Sequence, residues 1–395
     1  MEITELRSVW EKMKLNSVSL KEKTFPIGCD GMSKSNFEEN LDCHLNEIIR
    51  KVNTFDSEGI TKYSFGKLVY YERKKSSGGT RKIYLPRLKD QLLFKWLHFE
   101  LVTAAKKKEI NLQTKSPLEV VKQFRSELNK YKNPVVVRTD ITSFFDSVPR
   151  DKVVDLALKL ELSNDAKNLL IVWSKKIIGR PFWTTGKLKD EEVFGLPQGL
   201  SISATLAELW GDEIEKRMLP HARIFRFVDD ITFICENKKN ADENLIIFKS
   251  IIEDMGLSIS ENKTQISALS EGVHWLGMKH YEDDIFADLD RIEKWAKRFI
   301  FIRKEFSLEY KNNPLLDKNE LLSKFYFKVK QEIKGKTSAR PQWYSIVNDV
   351  GQWKELDRKL HAQFKILHKQ LNIPLSLNAK LPSIHKQMIS RFKNR

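Results

Sequence analysis

Residues 225–231 read Phe225-Arg226-Phe227-Val228-Asp229-Asp230-Ile231. Aromatic and aliphatic side chains flank two adjacent acids inside a run of strand formers. Two carboxylates held between strands are costly unless water or cations reach them. Read alone, an Asp-Asp pair is an ordinary turn. A second segment extends the reading. Val135-Val136-Val137 is a short apolar strand leading into Arg138-Thr139-Asp140-Ile141-Thr142-Ser143-Phe144-Phe145-Asp146, so it too ends on an acid. Acids that converge from separate strands are what phosphoryl transfer needs. Two Mg²⁺ ions roughly 3.5–4 Å apart are bridged by hard carboxylate oxygens and neutralise the charge on attacking and leaving oxygens.

Around these segments the pattern predicts an α+β chain. Residues 1–55 read as helical, with an amphipathic run from Phe37 to Ile49 after the turn-like Gly28-Cys29-Asp30-Gly31. Residues 63–86 read as a hairpin: strand formers from Tyr63 to Glu72, a Ser76-Ser77-Gly78-Gly79 turn, then Arg81 to Leu85 ended by Pro86. Helices are expected over Asp90–Ala105, 151–179, Leu200–Met218 and Asn244–Met255. Ile224–Cys235 reads as strand–turn–strand, and Ile259–Leu269 and His274–His280 as short strands. From Asp288 the pattern is helical, with Pro341 and Pro374 as breaks. Helices on one face of an antiparallel sheet with acids at strand ends make a palm-like domain.

The charge has a location. The chain carries 69 Lys and Arg against 53 Asp and Glu, a net of +16, yet from Arg291 onward there are 24 against 9. The remaining 290 residues are nearly neutral, so the excess sits at the C-terminal end. A basic region beside a neutral one points to a polyanionic partner. No apolar run approaches the ~20 residues of a membrane span. The N-terminus lacks the pattern of a secretory signal. Cys29, Cys43 and Cys235 have neither metal-ligand spacing nor the form of a disulfide framework. A cytoplasmic, reduced protein is expected.

The chain resembles the reverse transcriptase family, from about Gly28 to Gly277. Asp140 with Phe144-Phe145 is similar to the family's first palm motif, and Leu196-Pro197-Gln198-Gly199 with Ser201 to Leu209 to the second. Phe227-Val228-Asp229-Asp230 resembles the aromatic-X-Asp-Asp turn, Gly256 to Thr264 the fourth motif, and Trp275-Leu276-Gly277 the primer-grip hairpin. Arg81 to Pro86 followed by Asp90 resembles the fingers motif. Gly28 to Met32, before Phe37 and Leu41, resembles the N-terminal extension of bacterial and group II intron enzymes.

The resemblance implies a right-hand polymerase fold: an N-terminal helical extension (1–55), fingers (56–134), a palm (135–285) and a basic helical thumb-like domain (286–395). It implies two Mg²⁺ ions, with Mn²⁺ as a substitute, held by Asp140, Asp229, Asp230 and the carbonyl of Ile141. Asp230 can equally be a structural partner of Asp229. Phe145 stands at the steric-gate position, where a ring would clash with a 2′-hydroxyl; one ring of the Phe144-Phe145 pair is then core, since adjacent strand residues face opposite sides. Arg81 and Lys74 are placed to hold the incoming triphosphate, and Gln198 to touch the nucleotide. Lys263 can protonate the leaving pyrophosphate, or be a surface lysine. Trp275 and Gly277 would position the primer end, or Trp275 would be core.

The implied partners are an RNA template, a DNA primer or product and deoxynucleoside triphosphates, with a homo-oligomer possible. Neither an RNase H acid series nor an endonuclease Cys/His cluster is seen in the tail. The retron hallmarks are missing, Ser163-Asn164-Asp165-Ala166-Lys167 being a poor match. The compact fingers and basic tail look more like bacterial abortive-infection and defence-associated reverse transcriptases. That implies copying of a dedicated noncoding RNA in antiphage defence. A retron-type enzyme, an untemplated or protein-primed polymerase (Tyr310, Tyr326 or Tyr344 offering the hydroxyl) and a noncatalytic RNA-binding scaffold stay open.

Overall fold

The computed structural model describes residues 1–19, 28–75, 78–110, 112, 116–175, 177–182, 190–335, 344–375 and 381–393. Three helices open the chain: α1 (Ile3–Ser19), α2 (Lys34–Glu39) and α3 (Leu41–Val52). Ser33 caps α2 by accepting from the Asn36 N–H. Strands β1 (Leu68–Lys74) and β2 (Thr80–Leu85) form the expected hairpin, in register from Val69↔Leu85 to Lys74↔Thr80. Its Ser76-Ser77 turn residues lie outside the described residues. Tyr63 to Lys67 is not strand; the Tyr63 hydroxyl instead donates to buried Asp90 at 2.7 Å.

Helix α4 (Leu88–Lys107) covers the expected stretch, and α5 (Pro117–Leu128) is an addition. It starts on a capping box in which Ser116 and Glu119 satisfy each other's backbone N–H, with Pro117 in the first turn. Then follow β3 (Val135–Asp140), the single turn α6 (Phe144–Ser147), α7 (Arg150–Leu158) and α8 (Asn164–Ser174). Residues 151–179 are therefore not one helical stretch. Ser163 restarts the helix as an N-cap, and the chain then turns into strand β4 (Ile177–Pro181). β4 pairs parallel with β1, Leu68 opposite Gly179, and antiparallel with β5 (Glu191–Val193). This first sheet is thus mixed, in the order β2-β1-β4-β5.

Helix α9 (Ser201–Met218) and strands β6 (Ile224–Phe227) and β7 (Asp230–Cys235) match the sequence pattern, while helix α10 (Lys238–Asp254) starts six residues before the expected Asn244. Strand β8 (Gln265–Ala268) pairs antiparallel with β3 in a second sheet of order β6-β7-β3-β8. Strands β9 (Val273–Trp275), β10 (Met278–His280) and β11 (Ile285–Ala287) form a third, antiparallel sheet. The helical C-terminal part comprises α11 (Leu289–Asn312), α12 (Lys318–Ile333), α13 (Val350–Leu371) and α14 (Ile384–Lys393). α13 stops at a left-handed Asn372, two residues before Pro374. Pro341 lies outside the described residues.

The chain divides into two compact units. One comprises 1–114, 139–231 and 244–264; the other comprises 115–138, 232–243 and 265–395. The first packs Leu92, Leu97 and Leu101 of α4, and Leu206 and Trp210 of α9, into its core. The second is built on aromatic contacts among the C-terminal helices, Trp295 on Trp353 (6.3 Å between ring centres) and Phe325 on Phe364 (4.9 Å). Trp275 is fully buried in this unit, its ring edge-on to Phe124 at 5.0 Å, so it is a core residue. No helix among the described residues is long and apolar enough to cross a membrane.

His280 is also fully buried in the second unit, 5.5 Å from the Phe124 ring. Burial, reinforced by the Arg125 guanidinium, pushes its pKa down to about 3. Between the ordinary value of 6.5 and about 3 the unfolded chain binds the proton and the folded chain does not, so stability is full above 6.5 and falls as pH drops. The stability lost between pH 7 and pH 5 should shrink by about 2 kcal/mol in His280→Phe. Urea titrations at the two pH values measure this; an unchanged pH dependence would contradict a neutral buried imidazole.

Candidate active site

Asp140 ends β3, and the next peptide joins it to the turn between β6 and β7. The Ile141 N–H donates to the Asp229 carbonyl at 3.1 Å. A third segment closes the group: the Ser260 N–H donates to the Asp140 carbonyl at 2.7 Å, and Thr142 N–H to Ser258 O at 2.8 Å. Lys263, in the 3₁₀ turn Glu261–Lys263, brings its Nζ to 2.9 Å from Asp140 Oδ1. The Thr139 and Thr264 hydroxyls share a hydrogen bond of 2.8 Å beside them. Asp140, Ile141, Asp229, Asp230 and Lys263 are therefore brought together, all within the first unit.

The turn that carries Asp229 is strained. Val228 has φ +60°, a left-handed conformation in which a β-branched residue is a genuine outlier costing about 1–3 kcal/mol. Such strain persists only where the surroundings over-determine it. Burial, and then the negative charge of Asp140 and of Asp230, push the Asp229 carboxyl above its ordinary range, while the Lys263 ammonium acts against them.

A second group forms around Phe145. Phe144 is buried and Phe145 half-buried, as a core-plus-exposed pair requires. The physical reason differs from strand alternation, because both rings sit in the single turn α6, their centres 6.0 Å apart at 71°. The loop before α9 is stitched on both sides. Leu196 N–H donates to Phe145 O at 2.7 Å, and Tyr84 N–H of β2 donates to Gln198 O at 2.7 Å. Glycines permit that approach: a Cβ on Gly195 would lie 2.4 Å from Phe145 O, and one on Gly199 would lie 2.7 Å from Tyr84 O.

Alternation along β2 puts Arg81 on the face of Ile83, whose Cγ2 lies 3.2 Å from where a Gly199 Cβ would be. Phe145, Gln198 and the Arg81 strand are thus neighbours, with Arg81 exposed. Lys74 is exposed near the hairpin tip, opposite Thr80, and no described contact joins it to this group. Partial desolvation holds the Asp146 pKa above its ordinary value, and the Lys75 and Lys82 ammonium groups oppose that shift. Lys82 also binds Glu191 at 2.5 Å and lies 4.4 Å above the Tyr70 ring.

Sequence reading passed over Arg226. Its guanidinium is buried in the first unit, with Nη2 2.9 Å from Glu208 Oε2, Nε 2.9 Å from Glu215 Oε1, and Nη1 donating to the Val228 carbonyl at 3.2 Å. Burial opposes its charge, but the two glutamates outweigh that and hold its pKa above the ordinary value. Gly211, between them on α9, leaves the slot: a Cβ there would lie 2.2 Å from the Arg226 Cζ. The available signal was Glu208 inside the largely apolar run Ala204 to Trp210, with Gly211 directly after it.

The donor set fits hard divalent cations. Among the described residues no group of three or more His, Cys, Asp or Glu is assembled as a metal cage. Asp140 and Asp229 nevertheless supply carboxylate oxygens from two segments, and their mutual repulsion is of the kind a cation relieves.

A β-sheet with acids at the ends of two of its strands, served by a helix and a fingers hairpin, defines the palm of a right-hand polymerase. The chain belongs to the reverse transcriptase (RNA-dependent DNA polymerase) family, whose model matches residues 73–280. That family's domains generally work with divalent metal ions. No curated protein matches the chain in sequence. Among solved structures it is similar to apo telomerase from Candida tropicalis truncated from its C-terminal domain (16% identity, 65% of this chain and 61% of that one, TM-score 0.45). It is also similar to telomerase from Candida albicans in complex with a TWJ fragment of telomeric RNA (12%, 92% and 69%, 0.47) and to apo telomerase from Candida tropicalis (13%, 86% and 67%, 0.49). The chain thus spans less than two thirds of the first of these.

Proposed function

We propose that the chain is an RNA-directed DNA polymerase that extends a primer with deoxynucleotides. The observation that carries this reading is the junction of Asp140 and Asp229 through the Ile141–Asp229 hydrogen bond, within a family match over residues 73–280. Asp140, Asp229, Asp230 and the Ile141 carbonyl would hold two Mg²⁺ ions, which would supply the positive charge that lowers the pKa of a primer 3′-hydroxyl and steadies a departing pyrophosphate. Phe145 lies under the sugar and excludes a 2′-hydroxyl. Gln198 meets the nucleotide from the loop stitched to Phe145 and β2. Arg81 takes the triphosphate through its guanidinium fork, and Lys74 adds charge at the hairpin tip. Lys263, now on Asp140, is the proton donor for the pyrophosphate.

In this reading residues 1–55 are an N-terminal extension, 56–134 fingers, 135–285 palm and 286–395 a thumb that grips template–primer backbone with its excess of basic residues. The motif set in the sequence favours the bacterial defence-associated group and a dedicated noncoding RNA template, copied in the cytoplasm. Ser163 to Lys167 is a poor match to the retron segment between the first two palm motifs, which speaks against a retron-type enzyme.

Primer extension on an RNA template should fall about 10³-fold or more in Asp229→Ala, the loss expected when several kcal/mol of transition-state charge stabilisation disappear. RNA binding measured in parallel should stay within about twofold of the original chain, since phosphate contacts by basic residues dominate it. Extension by Asp229→Ala at the original rate would sink the metal assignment. For Phe145→Ala, incorporation of ribonucleotides relative to deoxynucleotides should rise about tenfold or more. Competition assays with the two nucleotides read this, and unchanged discrimination would place the gate elsewhere.

A further inference from the structure

We infer that Arg226 is a positioning residue for the metal-binding turn, working through Glu208, Glu215 and the Val228 carbonyl; the inference rests on the proposed role of Asp229. Arg226 is only 8% exposed, and a buried cation without partners is not tolerated. Its partners show what it does. Two of its nitrogens are held at 2.9 Å by carboxylates on α9, and a third reaches forward at 3.2 Å to the carbonyl of Val228. That residue is the one at φ +60°, immediately before Asp229.

A left-handed valine is disfavoured, and a hydrogen bond to its carbonyl selects the strained turn over relaxed alternatives. The helix is shaped for this contact. Glu208, Gly211 and Glu215 are spaced i, i+3 and i+7 on one face, and Gly211 leaves the space that the guanidinium occupies. Glycine within a helix costs about 1 kcal/mol relative to alanine, so its presence calls for a close approach of this kind. Helix α9 begins directly after the Gln198 loop, so the same rigid element carries the nucleotide loop at its start and clamps the Asp229 turn from its middle.

Mn²⁺ alone, titrated into the full chain with free ion read by electron paramagnetic resonance, tests this without relying on polymerisation. Four proteins are compared: the original chain, Asp229→Ala, Gly211→Ala and Arg226→Lys. Gly211→Ala crowds the guanidinium out of its slot while keeping every charge. Arg226→Lys keeps the charge but cannot reach all three acceptors. The Mn²⁺ dissociation constant should rise about tenfold in both of these, and binding at the site should be lost in Asp229→Ala. Thermal midpoints measured alongside identify properly folded variants, since loss of packing alone would lower the midpoint without moving the affinity of the folded fraction. If Arg226→Lys does not fold, Gly211→Ala and Glu215→Gln carry the comparison. Unchanged Mn²⁺ affinity in the folded variants, with binding lost in Asp229→Ala, would overturn the positioning role and leave the metal reading standing. Equal binding by Asp229→Ala and the original chain would instead overturn the metal reading itself, and this inference with it.

Discussion

One backbone hydrogen bond, from the Ile141 N–H to the Asp229 carbonyl at 3.1 Å, ties together two segments almost ninety residues apart. Each segment brings an acid that would be more comfortable in water. Burial, and then the charges of Asp140 and Asp230, raise the Asp229 pKa, and Lys263 on Asp140 offsets this only in part. The chain therefore spends folding energy to assemble a site whose electrostatics improve when a cation arrives. Val228, next to Asp229, is held at φ +60°, a strained conformation that persists only where the surroundings over-determine it.

Everything else described around the site holds these pieces at fixed spacing. The Gln198 loop is sewn to Phe145 on one side and to Tyr84 on the other, with Gly195 and Gly199 allowing backbones to approach where a Cβ would collide. Asp90 anchors the base of the fingers hairpin, accepting from the Tyr63 hydroxyl, the Gly66 N–H at 3.0 Å and the Arg87 guanidinium at 2.8 Å. Sites held by rigid elements keep the precision that phosphoryl transfer needs, where catalysis is chiefly positioning and charge stabilisation.

Much of this was legible in the sequence, because the informative signals are local. A run of three valines ending on an acid, and an aromatic strand broken by Asp-Asp, announce strands with acids at their ends. Gly78-Gly79 between two strand-forming runs announces the hairpin. What stayed hidden depends on distant partners. β4 pairs with β1 across more than a hundred residues, and nothing in Ile177 to Pro181 foretells it. The Phe144-Phe145 pair divides into buried and half-buried rings through a helical turn that no local periodicity marks. A tryptophan in a short strand is more often core than a primer contact, and the packing of Trp275 on Phe124 bears that out. Arg226 looks like the solvated face of a strand until Glu208, Glu215 and the gap at Gly211 surround it.

The most direct measurement is to purify the full chain and Asp140→Asn from cells and sequence the nucleic acids bound to each. A defined RNA should accompany both proteins, and DNA complementary to it should accompany only the original chain. The same DNA on both, or DNA with no complement among the bound RNAs, would contradict RNA-templated synthesis at the Asp140–Asp229 centre.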